Sequence, residues 1–219
     1  MSLFQITKSV ITQVPETRNE LWNKWKAAFK WIYQNELDNF DYFLRADDDS
    51  YFAMENLRNF LLTFNKSEDL YFGARFKFKN VSKGYMSGGA GVILTKNAIK
   101  KLVENFDNFN ICPQKSDEND DLSLGICAQN LNFTFVDTRD NLGRHRMLPW
   151  SPSTHFIKGL DKEQFQYLYY PYNQNLENRY ECCAKDMISF HYVFGKMLYM
   201  MEFLIYHSNT SNEFDGNNR

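Results

Sequence analysis

Three adjacent carboxylates, Asp47-Asp48-Asp49, end the apolar run Tyr42-Phe43-Leu44-Arg45-Ala46, and a second amphipathic segment opens near Tyr51. Such charges are hard to bury without a cation. A strand that delivers carboxylates at its C-terminal end is a place where a hard divalent ion is held by oxygen ligands, with nucleotide phosphates completing the shell. The triplet therefore reads as a sugar-nucleotide site at a strand-to-helix junction. A solvated acidic turn is the bland alternative, and the tripeptide alone leaves it open.

The rest of the composition narrows the class. At 219 residues, 43% of them hydrophobic and 17% aromatic, the chain suits one domain of α/β size with a sizeable core. Its 25 basic and 27 acidic residues are well mixed and the net charge is −2, which leaves no footprint for nucleic acid or an anionic membrane. No stretch reaches the ~20 apolar residues of a membrane span. The nearest, Met197 to Tyr206, is short, contains Glu202 and is expected to be a buried helix. Met1-Ser2-Leu3-Phe4-Gln5-Ile6 does not read as a secretory signal. The four cysteines, Cys112, Cys127, Cys182 and Cys183, fit either disulfides or free thiols, and without a C-x-x-C pair they make a poor zinc site. Four sequons begin at Asn65, Asn80, Asn132 and Asn209, and they tilt the reading toward an oxidising compartment.

Periodicity places these features on elements. Thr17 to Glu20 has capping-box spacing, and Trp22, Trp25, Phe29 and Ile32 predict a helix over Thr17 to Leu37. Asp41 to Ala46 reads as a buried strand, Met54 to Phe64 as a helix and Leu70 to Phe76 as a strand. The glycine-rich stretch Gly84 to Gly91 reads as a loop running into the strand Val92 to Leu94. It matches neither a P-loop nor a dinucleotide fingerprint, and a structural turn fits it as well as a ligand contact. Helices follow over Lys96 to Phe106 and Leu122 to Leu131, then a strand over Phe133 to Val136. Asp120 and Asp121 suit a helix N-terminus, which by itself accounts for them. The aromatics Trp150, Phe156, Phe165, Tyr167, Tyr169, Tyr170 and Tyr172 offer sugar-stacking faces or ordinary packing. His191 sits in the apolar run Ser189 to Val193, where a core histidine is the simplest reading. The tail, 208–219, is polar and reads as disordered.

Taken in order, Tyr42 to Asp49, Tyr71 to Phe76, Gly84 to Gly91, Asp120 to Gly125, His155 to Gly159, Cys182-Cys183 and Ser189 to Tyr192 resemble the core 1 β1,3-galactosyltransferase family of glycosyltransferase family 31. The resemblance implies an α/β GT-A fold, a Rossmann-like mixed sheet flanked by helices. It implies inverting transfer of galactose from UDP-galactose to the 3-hydroxyl of N-acetylgalactosamine O-linked to Ser or Thr of a glycoprotein, with manganese, or magnesium, as cofactor. The family's setting is the lumenal side of the Golgi membrane, and a homodimer and a dedicated folding chaperone are partners it allows. Carried over by position, the resemblance implies these roles: Asp47 faces the ribose, Asp48 shapes the site, and Asp49 and His191 ligate the metal. Asp121 is the base, and Tyr85, Gly88 and Gly89 lie beside the donor. Asp120, Trp150, Tyr169 and Tyr170 belong to the acceptor side, Asp120 standing where the family has a glutamate.

The same resemblance makes 1–207 a GT-A catalytic domain without its first strands. An inactive paralogue or fragment serving as a chaperone-like binding module on the same scaffold is the alternative function. A further expectation is a disulfide between Cys112 and Cys127, close in sequence and separated by a loop and the next helix start. Cys182 and Cys183 are then left to each other or to a partner elsewhere.

Overall fold

Helix α1, Leu21–Asn35, turns one apolar face inward through Trp22, Trp25 and Phe29, all buried. The computed structural model describes residues 13–116, 119–172 and 181–208. Most of the expected 208–219 tail, with the sequon at Asn209, lies outside them. Helix α1 is shorter than its pattern predicts. Thr17 makes no side-chain cap, because a 3-10 turn over Arg18–Glu20 intervenes, and Glu20 instead accepts from Asn23 Nδ2 at 2.6 Å. No described helix is long and apolar enough to cross a membrane.

The chain continues through β1 (Tyr42–Arg45), β2 (Tyr51–Phe52), α2 (Met54–Leu61), β3 (Leu70–Phe72), β4 (Arg75–Phe78), β5 (Val81–Met86), β6 (Val92–Thr95) and α3 (Lys96–Asn105). Then come α4 (Asp120–Asn130), β7 (Thr134–Phe135), β8 (Met147–Leu148), α5 (Lys162–Tyr167), β9 (Ser189–Phe190) and α6 (Lys196–Glu202). The main sheet has the order β1-β6-β3-β7, with β6 antiparallel to both neighbours and β3 parallel to β7. This is the mixed α/β architecture expected. A second sheet joins β2, β9 and β8, and β4 with β5 makes a separate hairpin.

Strand alternation divides the core. Val92 and Leu94 of β6 face the cluster made with α1, α3 and α4, while Ile93 faces a second cluster with Leu57, Phe72, Val136 and Met147. Truncating a fully buried residue such as Leu102 to Ala would cost about 2–5 kcal/mol. Cys112 and Cys127 are bonded as expected, tying the loop before α4 to the helix itself. Cys182 and Cys183 are bonded to each other, so all described cysteines are paired.

Several expected elements differ. Strand β1 is not buried: it lies at the sheet edge, and Leu44 is 38% exposed. The single strand expected over Leu70 to Phe76 divides, because Arg75 stacks on Tyr169 and donates to the Lys83 carbonyl, drawing β4 toward its hairpin partner. Gly84 to Met86 belong to that hairpin, not to a loop. Gly84 has φ +67°, and a Cβ there would fall 2.0 Å from the Phe76 carbonyl oxygen, so this strand position demands glycine. Met197 to Tyr206 forms α6 and a π-helical turn, Phe203–His207, but it is not buried. Only Met201 is buried along it, and Tyr199 is 80% exposed, because one stripe of this segment reaches the core.

Candidate active site

The pocket forms where the ends of several elements meet: the stretch after β1, the turn after β5, the start of α4, and the segments after β8 and β9. Arg45, Asp47, Asp48, Asp49, Gly88, Gly89, Asp120, Asp121, Trp150, His191 and Tyr192 are among its lining, with a cavity of about 490 Å³. Distant parts of the sequence are brought here by the small second sheet. Tyr51 pairs with Phe190, the Val193 amide donates to the Asp49 carbonyl at 2.8 Å, and the His191 amide donates to the Leu148 carbonyl at 3.1 Å. His191 is thereby fixed beside the acidic triplet and is not a core histidine.

Asp47, Asp49 and His191 form a cluster whose ligand atoms all lie within 4.8 Å of one another. His191 Nε2 stands 3.3 Å from Asp49 Oδ1 and 4.0 Å from Asp47 Oδ2. The other ring nitrogen, Nδ1, lies 3.3 Å from the Pro149 carbonyl, which can only accept, so Nδ1 carries the hydrogen. In the neutral ring, the Nε2 lone pair then faces two carboxylates. That donor set, one imidazole nitrogen and two carboxylate oxygens with a carbonyl orienting the ring from behind, fits a divalent cation. Asp48 is exposed and lines the pocket outside this cluster.

The opposite wall is the start of α4. Asp121 Oδ2 accepts from the Gly88 amide at 3.1 Å, and Oδ1 accepts from the Leu122 amide at 2.8 Å. Burial raises the Asp121 pKa above the usual carboxylate range, against the pull of those two N–H groups. Asp120 is pushed up to about 6, chiefly by burial, with Arg45 opposing and Asp121 adding to the rise. Arg45 joins the walls: Nη2 lies 2.7 Å from Asp47 Oδ1 and 3.4 Å from Asp120 Oδ2, and the guanidinium stacks 4.4 Å from the Trp25 ring centroid. Between the walls run two glycines. A Cβ on Gly89 would sit 2.0–2.2 Å from the His191 ring, so the imidazole occupies the space that any other side chain would need.

Of the residues singled out from sequence, the fold gathers Asp47, Asp48, Asp49, Gly88, Gly89, Asp120, Asp121, Trp150 and His191 around one cavity. Tyr85 lies just behind it, edge-on to Phe76, its hydroxyl pKa raised by burial and by Asp121. Tyr169 and Tyr170 are not brought to the lining. Tyr169 stacks on Arg75 at 3.7 Å, while Tyr170 packs on Arg139 at 3.8 Å and accepts from Arg75 through its hydroxyl at 3.1 Å. Arg45 and Tyr192 went unassigned from sequence. For Arg45 the usable signal is its position two residues before Asp47 in an extended segment; Tyr192, stacked 3.7 Å from the His191 ring, offered none beyond adjacency.

Comparison with known proteins gives the family. The Fringe-like family model matches residues 5–148. A glycoprotein-N-acetylgalactosamine 3-beta-galactosyltransferase 1 from Xenopus laevis is 34% identical over 193 residues, covering 88% of this chain and 52% of its own length. Chondroitin sulfate synthase 3 from Homo sapiens is 24% identical over 115 residues, 48% of this chain and 13% of that protein. A beta-1,3-glucosyltransferase from Mus musculus is 23% identical over 120 residues, 54% of this chain and 24% of that protein. The chain thus spans about half the length of the Xenopus relative or less of the others. The mixed sheet flanked by helices is a GT-A-like glycosyltransferase fold, and the chain belongs to the Fringe-like family.

Proposed function

We propose that this pocket transfers galactose, with inversion, from UDP-galactose to the 3-hydroxyl of N-acetylgalactosamine O-linked to Ser or Thr of a glycoprotein, in the Golgi lumen. The observation that carries the reading is the opposition of two acidic walls across Gly88-Gly89: Asp47, Asp49 and His191 on one side, Asp121 on the other. An inverting transfer needs this arrangement, with the leaving group held on one face of the sugar and a proton acceptor on the other. Asp49 and His191 would hold manganese or magnesium, with Asp47 beside them toward the nucleotide. When bound, the cation supplies Lewis-acid stabilisation of the departing diphosphate.

The remaining work falls to side chains of this chain. Asp121 takes the proton of the acceptor hydroxyl; each of its oxygens keeps a lone pair after accepting one backbone N–H. Its raised pKa makes it a stronger base than an exposed aspartate. Asp120 and Trp150 border the acceptor, Trp150 held rigid by stacking 5.4 Å from Phe76. The walls predict two different failures in the full-length protein. Asp49→Ala should abolish manganese-dependent UDP binding in calorimetry. Asp121→Asn should keep that binding while transfer to an N-acetylgalactosaminyl peptide drops by about 100-fold or more. Full transfer by both variants would sink the assignment.

A further inference from the structure

Three of the four sequons lie within the described residues, and their placement follows a pattern. Asn65, Asn80 and Asn132 are all exposed, as are the hydroxyl residues that complete them, Ser67, Ser82 and Thr134. Each asparagine also lies at, or beside, the end of an element whose other end reaches the pocket. Asn80 precedes β5, whose far end leads to Gly88; at ~3.3 Å per residue the strand separates them by about 20 Å. Asn132 follows α4, whose first residues are Asp120 and Asp121; its 11 residues span about 16 Å. The two sequons are neighbours, since Lys83 Nζ donates to Asn132 Oδ1 at 3.1 Å and Ser82 Oγ donates to Gln129 Oε1 at 3.0 Å. Asn65 follows α2, and its neighbour Lys66 pairs at 2.8 Å with Asp41, just before β1, while the other end of β1 leads to Asp47.

A second observation points the same way. All described cysteines are in disulfides, Cys112 with Cys127 and Cys182 with Cys183, as in a protein matured in an oxidising lumen. That compartment is also where sequons are modified.

We propose that Asn65, Asn80 and Asn132 carry N-linked glycans, and that these coat the pole opposite the pocket. In the modification, the asparagine Nδ2 displaces the pyrophosphate of a polyisoprenoid-pyrophosphate-linked oligosaccharide. The new bond joins Nδ2 to the anomeric carbon, the bond from that carbon to the pyrophosphate oxygen breaks, the lipid pyrophosphate departs and Nδ2 loses one proton. Bulky polar chains at this pole solubilise the protein and leave the pocket mouth open. The inference rests on sequons, exposure and disulfides, and it stands apart from the choice of transferase substrate.

The test is to pass the full chain through the secretory pathway of a eukaryotic cell behind a cleavable signal, and to treat both secreted and cell-retained protein with peptide N-glycosidase in oxygen-18 water. Labelled conversion to aspartate at each of these three positions is expected, with one glycoform step lost for each Asn→Gln substitution. An unconverted asparagine in disulfide-bonded protein would overturn the proposal at that position, and three would overturn it whole. So would conversion only in reduced, unfolded material, since native placement would then play no part. Absent UDP binding before and after glycosidase treatment would count against the transferase reading alone.

Discussion

Asp120→Asn should stabilise the fold at neutral pH and do little at acid pH. Folding raises the Asp120 pKa from 3.8 to about 6, so the native state holds this proton more tightly than the unfolded chain does. The group's favourable contribution is complete below pH ~4 and is lost as pH rises through about 6. One pKa unit is worth 1.36 kcal/mol, so the ionised carboxylate destabilises the native protein by roughly 3 kcal/mol at pH 7, as an upper value. Asparagine removes the charge but keeps an amide that must find partners beside Arg45, which lowers the expected gain to about 1–2 kcal/mol. The measurement is urea unfolding of both proteins with a chelator present, at pH 4 and at pH 7.5. A gain at pH 7.5 that vanishes at pH 4 is the expected result. An equal difference at both pH values would mean that packing, not the buried charge, governs Asp120.

The centre of the pocket predicts a specific loss: Gly89→Ala places a methyl group inside the His191 ring position, so manganese affinity should fall at least about tenfold while the circular dichroism spectrum is unchanged. Unaltered affinity would show that His191 does not hold the ion. Replacing both Cys112 and Cys127 by alanine opens a loop of 15 residues, which the chain-entropy model values at about 3 kcal/mol. Thermal unfolding should shift down accordingly, and an unchanged midpoint would refute it.

Much of this site was readable from the chain because its residues stand at element boundaries that local chemistry marks. The acidic triplet follows an apolar run, and Asp121 sits at a helix start, so spacing alone brings each to the edge of an element. His191 was ambiguous for a physical reason. Its neighbours Phe190 and Val193 are buried, and only the long-range pairing of β9 with β2 and β8 turns its ring toward Asp49. The same kind of tertiary choice decided Tyr169 and Tyr170, whose faces were taken by Arg75 and Arg139 in place of a ligand. Met197 to Tyr206 was misjudged because apolar content alone does not tell how many of its faces find neighbours.

The two-residue strands β2, β9 and β8 are too short to hold a segment by backbone pairing alone, yet they position half of the proposed metal site. A cation shared by Asp49 and His191 would therefore act as a clasp on the C-terminal part of the chain as well as a reagent. At a concentration 100 times its dissociation constant, it would add about 2.7 kcal/mol to native stability by mass action. Much of that gain would appear as slower hydrogen exchange in β9 and in the segment that leads into α6. Metal supply would then set how long the folded protein survives.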